Sequence, residues 1–325
     1  MRAVTYYKYG PPDILKIEEV PVPVPKENEI LVKVYAASIN FANPALVRGK
    51  PFIIRMMTGG LTKPRYNIPG SDLAGTVESV GPNVTEFQPG DEVYGDLSSS
   101  GFGTYAEYAA APVNMLAKKP SNLTFEEAAA VPQSGLVALQ GLRKGNIKKG
   151  QKVLIVGASA GNGTFAVQIA QAFEAEVTGV CSTRNIDLVL SIGADKVIDY
   201  TKEDFLDSGE LYDLIFATAG YRSILDYKKA LKSDGIYVMA GGKMSQVYQA
   251  LIGSLFAIGS GKTLTNLSQH QDRDDLTYMA ELIESGKVKP VIDKVYPLEQ
   301  VTEAFKHYET GRSRGKVIIS VQTGK

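Results

Sequence analysis

Residues 152–163 read KVLIVGASAGNG, and this stretch decides the fold. The apolar, β-branched run at 152–156 is typical of a buried strand, and the glycine-rich turn after it leads into apolar residues at helical spacing. Glycines let the backbone turn tightly and approach a ligand, and a helix N-terminus offers free N–H groups to an anion. With a helix that begins at Thr164, the stretch predicts a dinucleotide-binding loop; a plain tight turn is the alternative.

The literal pattern G-x-G-x-x-G is absent from this loop, because glycine stands at 157, 161 and 163 and alanine at 160. The prediction therefore depends on the order strand, loop, helix rather than on the glycine spacing alone. The residues of this loop expected to bind the cofactor are Ser159, Ala160, Gly161, Asn162, Gly163 and Thr164.

Downstream of the loop, strand-like and helix-like segments alternate. Apolar runs predict strands at 176–181, 196–199, 211–217 and 235–240, and helical spacing predicts helices at 164–173, 185–192 and 224–231. This alternation predicts a doubly wound parallel sheet with right-handed crossovers. Ligands bind at the carboxyl ends of such strands, so further candidate cofactor residues are Thr218, Ala219, Gly220, Gly241 and Gly242.

The regions on both sides of this sheet are rich in predicted β-structure. Runs of alternating polarity at 30–35 and 75–80, separated by Gly/Pro turns, predict a small barrel or sandwich. Thr124 and Glu127 fit a capping box at the start of a helix over 125–131. A helix at 274–285 and a last strand at 316–321 complete the predicted elements.

The composition excludes several classes of protein. Among 325 residues, 35 Lys and Arg balance 35 Asp and Glu, so no cationic excess favours nucleic acid or an anionic membrane. The single cysteine, Cys181, cannot form an internal disulfide, and together with two histidines it provides no zinc-ligand spacing, so we expect no metal site. No secretory signal and no apolar run long enough to span a bilayer are visible, so we expect a cytoplasmic protein.

The end of the second strand bears on the choice of cofactor. NAD-binding proteins usually place a carboxylate there, which holds the ribose 2′-hydroxyl. Here Ser182, Thr183 and Arg184 follow the strand, and their hydroxyls and guanidinium suit a 2′-phosphate. This predicts NADPH rather than NADH; the alternative is that Ser182 or Thr183 caps the next helix and that Arg184 is solvated.

Four motifs along the chain are GSDLAGTV at 70–77, GDEVYG at 90–95, AAVPQSG at 129–135 and GKV at 315–317. With these motifs the chain resembles the medium-chain dehydrogenase/reductase superfamily, most of all its zinc-free quinone oxidoreductase branch. The zinc-dependent branches carry a His-Glu pair where Ser71 and Asp72 stand here, and a four-cysteine lobe that this chain lacks.

The resemblance implies a two-domain α/β architecture. A GroES-like β-barrel catalytic domain is expected at 1–121, a Rossmann domain with a doubly wound parallel sheet that binds NADPH at 122–268, and a return to the catalytic domain at 269–325. It also implies a homodimer and a cofactor in the cleft between the domains. By the same analogy, Tyr200 lies near the adenosine phosphate. Lys316, near the end of the sequence, is a further candidate to contact the cofactor.

The chemistry expected without a metal is conjugate reduction. No zinc polarises an alcohol or a carbonyl, whereas hydride addition to an enone or a quinone moves charge to an oxygen that hydrogen bonds can stabilise. The sequence therefore predicts a reductase of quinones or α,β-unsaturated carbonyls, with Asn40, Tyr66 and Tyr94 as candidate catalytic residues. A zinc-free alcohol or carbonyl dehydrogenase and a non-catalytic NADPH-binding or sensor protein remain alternatives.

The segment PFIIRMMTGGLTK at 51–63 is an apolar insertion interrupted by Arg55. Methionines suit loosely specified apolar surfaces, so one hypothesis is a lid over an apolar carbonyl or quinone substrate. A helix packed on the barrel and a dimer contact are the alternatives.

Overall fold

A computed structural model of the protein describes residues 1–58, 60–242 and 253–322. The chain divides into two compact units. The first unit comprises Met1–Gln133, Gln271–Glu284 and Pro290–Lys325, and the second comprises Ser134–His270 and Ser285–Lys289. Within the described ranges, no helix combines the length and the apolar character needed to cross a membrane.

The elements of the described ranges are numbered along the chain. The strands are β1 (Arg2–Thr5), β2 (Lys16–Glu19), β3 (Glu29–Ser38), β4 (Asp72–Val80), β5 (Glu92–Asp96), β6 (Tyr108–Pro112), β7 (Leu116–Lys118), β8 (Lys152–Val156), β9 (Glu176–Cys181), β10 (Lys196–Asp199), β11 (Tyr212–Ala217), β12 (Leu231–Met239), β13 (Thr263–Asn266), β14 (Ile292–Pro297) and β15 (Lys316–Ser320). The α-helices are α1 (Ala42–Arg48), α2 (Phe52–Met57), α3 (Phe125–Ala129), α4 (Pro132–Lys144), α5 (Gly161–Ala172), α6 (Ile186–Ser191), α7 (Ile224–Lys229), α8 (Gly253–Ala257), α9 (Arg273–Glu284) and α10 (Val301–Glu309).

The first unit is built on a seven-stranded sheet in the order β14-β15-β3-β4-β5-β7, with β6 paired to β3. Only the β14–β15 pair of this sheet is parallel, and β3 is buried along most of its length. The capping box predicted at Thr124 and Glu127 is confirmed at the start of α3. This box begins α3 just before Phe125, whose ring stacks on Tyr35 of β3 at 4.4 Å.

The second unit holds a parallel six-stranded sheet in the order β10-β9-β8-β11-β12-β13. The chain runs outward from β8 to β10 on one side and from β11 to β13 on the other. The order in which the chain adds strands therefore reverses between β8 and β11, while all six strands stay parallel. Ligands of open α/β sheets bind at the carboxyl ends beside such a switch point. The predicted doubly wound parallel sheet is confirmed.

All five predicted helices have different bounds in the structure. The helix predicted at 125–131 ends at Ala129, and the helix predicted at 274–285 is found at Arg273–Glu284. The helix predicted at 164–173 begins at Gly161, because the low helix propensity of the glycines in its first turn hides the start from a sequence pattern. The helix predicted at 224–231 ends at Lys229, because Leu231 is buried and pairs with Tyr212 as the first residue of β12. The helix predicted at 185–192 is a short 3₁₀ turn, Thr183–Asn185, followed by α6.

Candidate active site

The loop between β8 and α5 is a tight turn in which two positions exclude any side chain. Gly157 has φ +85°, and a Cβ there would lie 2.7 Å from the Cβ of Ala219. A Cβ at Gly163 would lie 2.0 Å from the carbonyl oxygen of Gly157. These contacts bring the first turn of α5 directly against the end of β8, as a loop that cradles a phosphate requires.

The N-terminus of α5 lacks a side-chain cap. Ala160 is the N-cap residue, and its extended conformation (φ −77°, ψ 167°) needs no glycine. The Thr164 amide donates to the Ala160 carbonyl at 2.9 Å, so the helical ladder begins there and leaves the amides of Gly161, Asn162 and Gly163 outside it. The prediction that Thr164 supplies a free N–H is wrong, because this residue lies one turn inside the helix and is fully buried.

A carboxylate that the sequence analysis missed lies beside the predicted ribose loop. Asp199 ends β10 and pairs with Cys181 at the end of β9. Hydrogen bonds from the hydroxyls of Thr183 (2.5 Å) and Thr201 (2.7 Å) lower the pKa of Asp199 to about 2. Thr183 therefore donates its hydroxyl proton to Asp199, while Tyr200, the next residue, leaves half of its surface exposed.

Asn185 is a second residue that the sequence analysis missed, and it joins two predicted cofactor loops. The Asn185 side chain is buried, and its Nδ2 donates to Ser159 Oγ at 2.8 Å and, in a longer contact, to Ser182 Oγ at 3.4 Å. Ser182 is half-buried and Arg184 is exposed. The one sequence signal for Asn185 is its position at the start of the helix predicted at 185–192, directly after the predicted ribose loop.

The predicted residues after β11 and β12 come together at the same sheet edge as the glycine loop. The Thr218 hydroxyl contacts the Gly157 carbonyl oxygen at 3.2 Å. The Gly220 amide donates to the Gly241 carbonyl at 3.0 Å, and Gly220 forms an isolated bridge with Gly242. The structure therefore gathers these loops around the carboxyl end of β8.

The donors at this sheet edge fit a dinucleotide. An uncapped helix N-terminus favours the pyrophosphate, and its close approach to Gly157 leaves no Cβ in the way. Hydroxyls from Ser159 and Ser182 and the Arg184 guanidinium can bind ribose or a further phosphate.

In the first unit, Asn40 is held on both sides of its amide. Its Nδ2 donates to Ser71 Oγ at 3.2 Å, and its Oδ1 accepts from Lys316 Nζ at 2.5 Å. Its backbone N–H donates to Asn43 Oδ1 at 2.7 Å. Asn40 is 4% exposed, so these bonds fix the orientation of a buried amide.

Lys316 and Asp72 form a buried ion pair next to Asn40. Lys316 Nζ lies 3.6 Å from Asp72 Oδ2, and the carboxylate also accepts from Ser38 Oγ (2.7 Å) and from the backbone N–H of Gln133 (3.3 Å). Burial raises the pKa of Asp72 and lowers that of Lys316, while their mutual attraction opposes both shifts. Since the Lys316 ammonium is engaged here, its contact with a cofactor stays a prediction from the sequence alone.

The two candidate tyrosines have different surroundings. The Tyr94 hydroxyl is buried and donates to the Leu276 carbonyl at 2.5 Å, and burial raises its pKa well above the usual range. These contacts make Tyr94 a poor proton donor, contrary to the sequence-based expectation. Tyr66 is half-buried, with its ring 5.7 Å from Phe102, and within residues 1–58, 60–242 and 253–322 its hydroxyl shows no hydrogen-bond partner.

The apolar insertion contains helix α2. Its side chains Phe52, Ile53 and Met56 are 59%, 47% and 58% exposed, whereas Ile54 packs against the core of the first unit. Gly59 lies outside the described residues. The structure thus gives this segment an apolar surface and an anchor, which both the lid and the contact hypotheses require.

Comparisons with known proteins agree with this fold. Residues 26–121 match the family model of the alcohol dehydrogenase GroES-like domain, and residues 192–319 match that of the zinc-binding dehydrogenase. A solved quinone oxidoreductase from Coxiella burnetii has a TM-score of 0.89 at 28% identity and covers 99% of both chains. The predicted combination of a GroES-like and a Rossmann domain is confirmed.

Two curated relatives are similar over nearly the whole chain. The 2-methylene-furan-3-one reductase of Solanum lycopersicum is 36% identical over 331 residues, which are 98% of this chain and 79% of that one. The chloroplastic NADPH-dependent alkenal/one oxidoreductase of Arabidopsis thaliana is 34% identical over 330 residues, with the same two coverages, 98% and 79%.

Proposed function

The chain belongs to the medium-chain dehydrogenase/reductase superfamily, in its quinone oxidoreductase-like branch, and from this membership we propose that it reduces quinones or α,β-unsaturated carbonyls with NADPH and without zinc. The observation that carries the proposal is the cluster around Asn40. Where the zinc branches of the resemblance carry His-Glu, Ser71 binds the Asn40 amide and Asp72 pairs with Lys316. The cluster thus offers an oriented donor to an oxygen that gains charge.

The second unit supplies the binding groups for NADPH. The amides of Gly161, Asn162 and Gly163 bind the pyrophosphate at the helix N-terminus, and Ser182 with Arg184 binds the 2′-phosphate. When bound, the nicotinamide supplies the hydride.

The first unit supplies the groups that act on the substrate. The second hydrogen of Asn40 Nδ2, which Ser71 does not accept, donates to the carbonyl oxygen, on which negative charge collects when the β-carbon receives hydride. Lys316 is a positioning residue: it donates to Asn40 Oδ1, and a polarised amide is a stronger donor through its own N–H. Water or Tyr66 protonates the α-carbon of the resulting enolate and completes the reduction.

Several finer features remain part of the proposal. The exposed apolar side chains of α2 support an apolar substrate, and a homodimer is carried over from the superfamily. A cytoplasmic location is retained from the sequence, although one NADPH-dependent relative is named as chloroplastic. The domain bounds 1–121, 122–268 and 269–325 likewise stay a prediction.

An activity assay after removal of metal ions tests the proposal. The protein is dialysed against EDTA, and absorbance at 340 nm is followed with NADPH or NADH against a panel of quinones, alkenals and enones. We expect NADPH oxidation at a rate that chelation leaves unchanged, and slower oxidation of NADH. Activity that is lost with EDTA and restored by zinc would overturn the metal-free mechanism.

The same assay, extended to simple alcohols with NADP⁺, separates the alternative functions. Turnover confined to simple alcohols with NADP⁺ would indicate a dehydrogenase. Tight NADPH binding without turnover of any acceptor would indicate a binding or sensor protein.

A further inference from the structure

Asn185 connects the two loops that hold the adenosine side of the proposed cofactor. It ends the 3₁₀ turn Thr183–Asn185, is 4% exposed, and anchors that turn through its backbone N–H, which donates to the Ser182 carbonyl at 2.8 Å. Its side-chain Nδ2 donates to Ser159 Oγ in the glycine loop and to Ser182 Oγ after β9. One amide thus sets two hydroxyls that lie 23 residues apart, at positions 159 and 182.

The direction of these hydrogen bonds determines what the serines can bind. A hydroxyl has one hydrogen to donate, and an N–H that fills one of its lone pairs leaves this hydrogen free for another acceptor. Phosphate and ribose oxygens are such acceptors. Asn185 Oδ1 is itself buried and has no partner among the described residues, although most buried acceptors have one.

We propose that Asn185 is a specificity-determining positioning residue, which holds the Ser159 and Ser182 hydroxyls as donors to the phosphates of NADPH. The proposal rests on the proposed function. Serine donors favour a phosphorylated ribose, and Arg184, two residues after Ser182, adds a positive charge to the same loop. The nearby Asp199 carboxylate is engaged by the hydroxyls of Thr183 and Thr201.

The isosteric variant Asn185→Asp reverses the direction of both bonds. A carboxylate accepts hydrogen bonds only, so both serine hydroxyls would turn toward it and no longer donate to phosphate. It would also repel the 2′-phosphate, whereas the 2′-hydroxyl of NADH can donate to a carboxylate, as in NAD-binding proteins. The variant should therefore change the ratio of the affinities for NADPH and NADH, rather than weaken both to the same extent.

The experiment measures the dissociation constants of NADPH and NADH by titration of the full-length chain. Asn185→Asp is expected to raise the Kd of NADPH by about 30-fold and that of NADH by less than about threefold, corresponding to the loss of charge-assisted hydrogen bonds. The control Asn146→Asp places the same charge on an exposed turn of the second unit and should leave both constants unchanged.

Equal weakening of both cofactors by Asn185→Asp, or unchanged constants, would overturn the inference. If this variant does not fold, a cycle of Asn185→Ala, Ser182→Ala and the double variant decides. Non-additive effects on the NADPH Kd support the inference, and additive effects overturn it. A wild-type chain that does not bind NADPH would refute the proposed function as well, whereas normal enone reduction with an unchanged cofactor preference in Asn185→Asp would refute only this inference.

Discussion

Asp72 and Lys316 place opposite charges side by side in the interior of the first unit. Burial of an ion pair is costly unless the remaining donors and acceptors are satisfied. Here Ser38 Oγ and the backbone N–H of Gln133 donate hydrogen bonds to the Asp72 carboxylate, and Asn40 Oδ1 accepts one from the Lys316 ammonium. The pair is therefore tolerated because it is part of a larger hydrogen-bonded cluster that also orients Asn40.

The roles of the predicted site residues stay predictions, and the sequence could not show which residues they contact. Asn40 and Lys316 were each singled out from the sequence, yet they are 276 positions apart, and no local spacing can reveal their contact. Asp199 was missed for a similar reason. Its role beside Thr183 depends on the pairing of β10 with β9, which places the ends of two parallel strands together.

The substitution Asn40→Ala removes the proposed oxyanion donor. We expect kcat for an enone to fall about 100-fold, the usual cost of losing one such hydrogen bond, with the NADPH Kd within about threefold of the wild type. Steady-state kinetics and cofactor titration measure the two quantities. The exposed turn residue Asn83, changed to alanine, is the matched control. A kcat within twofold of the wild type would remove Asn40 from the mechanism.

The reactivity of Cys181 tests one form of the sensor alternative, in which the single thiol would be the reactive group. Burial raises the pKa of its thiol to about 11, and the side chain is 2% exposed. Only about one thiol in a thousand is then ionised at pH 8, so iodoacetamide should label the native chain slowly and increasingly toward pH 11. Mass spectrometry compares this labelling with that of the chain in concentrated urea, which should be complete. Rapid labelling of the native chain near pH 8 would support a sensor.

At the scale of elements, the predictions succeeded where apolar patterning alone sets the structure. The strand predicted at 152–156 is found as β8, and the strands at 176–181 and 196–199 are found as β9 and β10. The predicted start of α5 lies three residues too late, because the first turn contains two glycines, which have low helix propensity. Close packing against Gly157, rather than helix propensity, accounts for a glycine in this turn.

Helix α2 carries the hypothesis of a lid over the substrate. Replacement of the exposed Ile53 and Met56 by serine and glutamine removes apolar surface without touching the anchor Ile54. If α2 covers the substrate, KM for an apolar quinone should rise about tenfold, while kcat and the cofactor Kd should change little. Val24, which is 85% exposed, provides a control as Val24→Ser. Unchanged KM values would favour a contact with another chain.

At the scale of the whole molecule, the sequence predicted a GroES-like and a Rossmann domain, and the fold and the relatives confirm both. The sequence motifs that identify these domains lie at turns, strand ends and glycines, where the fold restricts which residues can stand. The identity of the acceptor is not among them. It depends on loop side chains such as those of α2, whose contacts are set by tertiary structure rather than by a pattern.

Transfer of deuterium tests the central claim, conjugate reduction with NADPH, most directly. The protein is incubated with NADPH that carries deuterium at both C4 positions and with an α,β-unsaturated ketone, and the product is examined by mass spectrometry and NMR. The proposed mechanism predicts a saturated ketone with one deuterium on the former β-carbon. Deuterium on the carbonyl carbon of an allylic alcohol, or oxidation of NADPH without transfer to the acceptor, would contradict it.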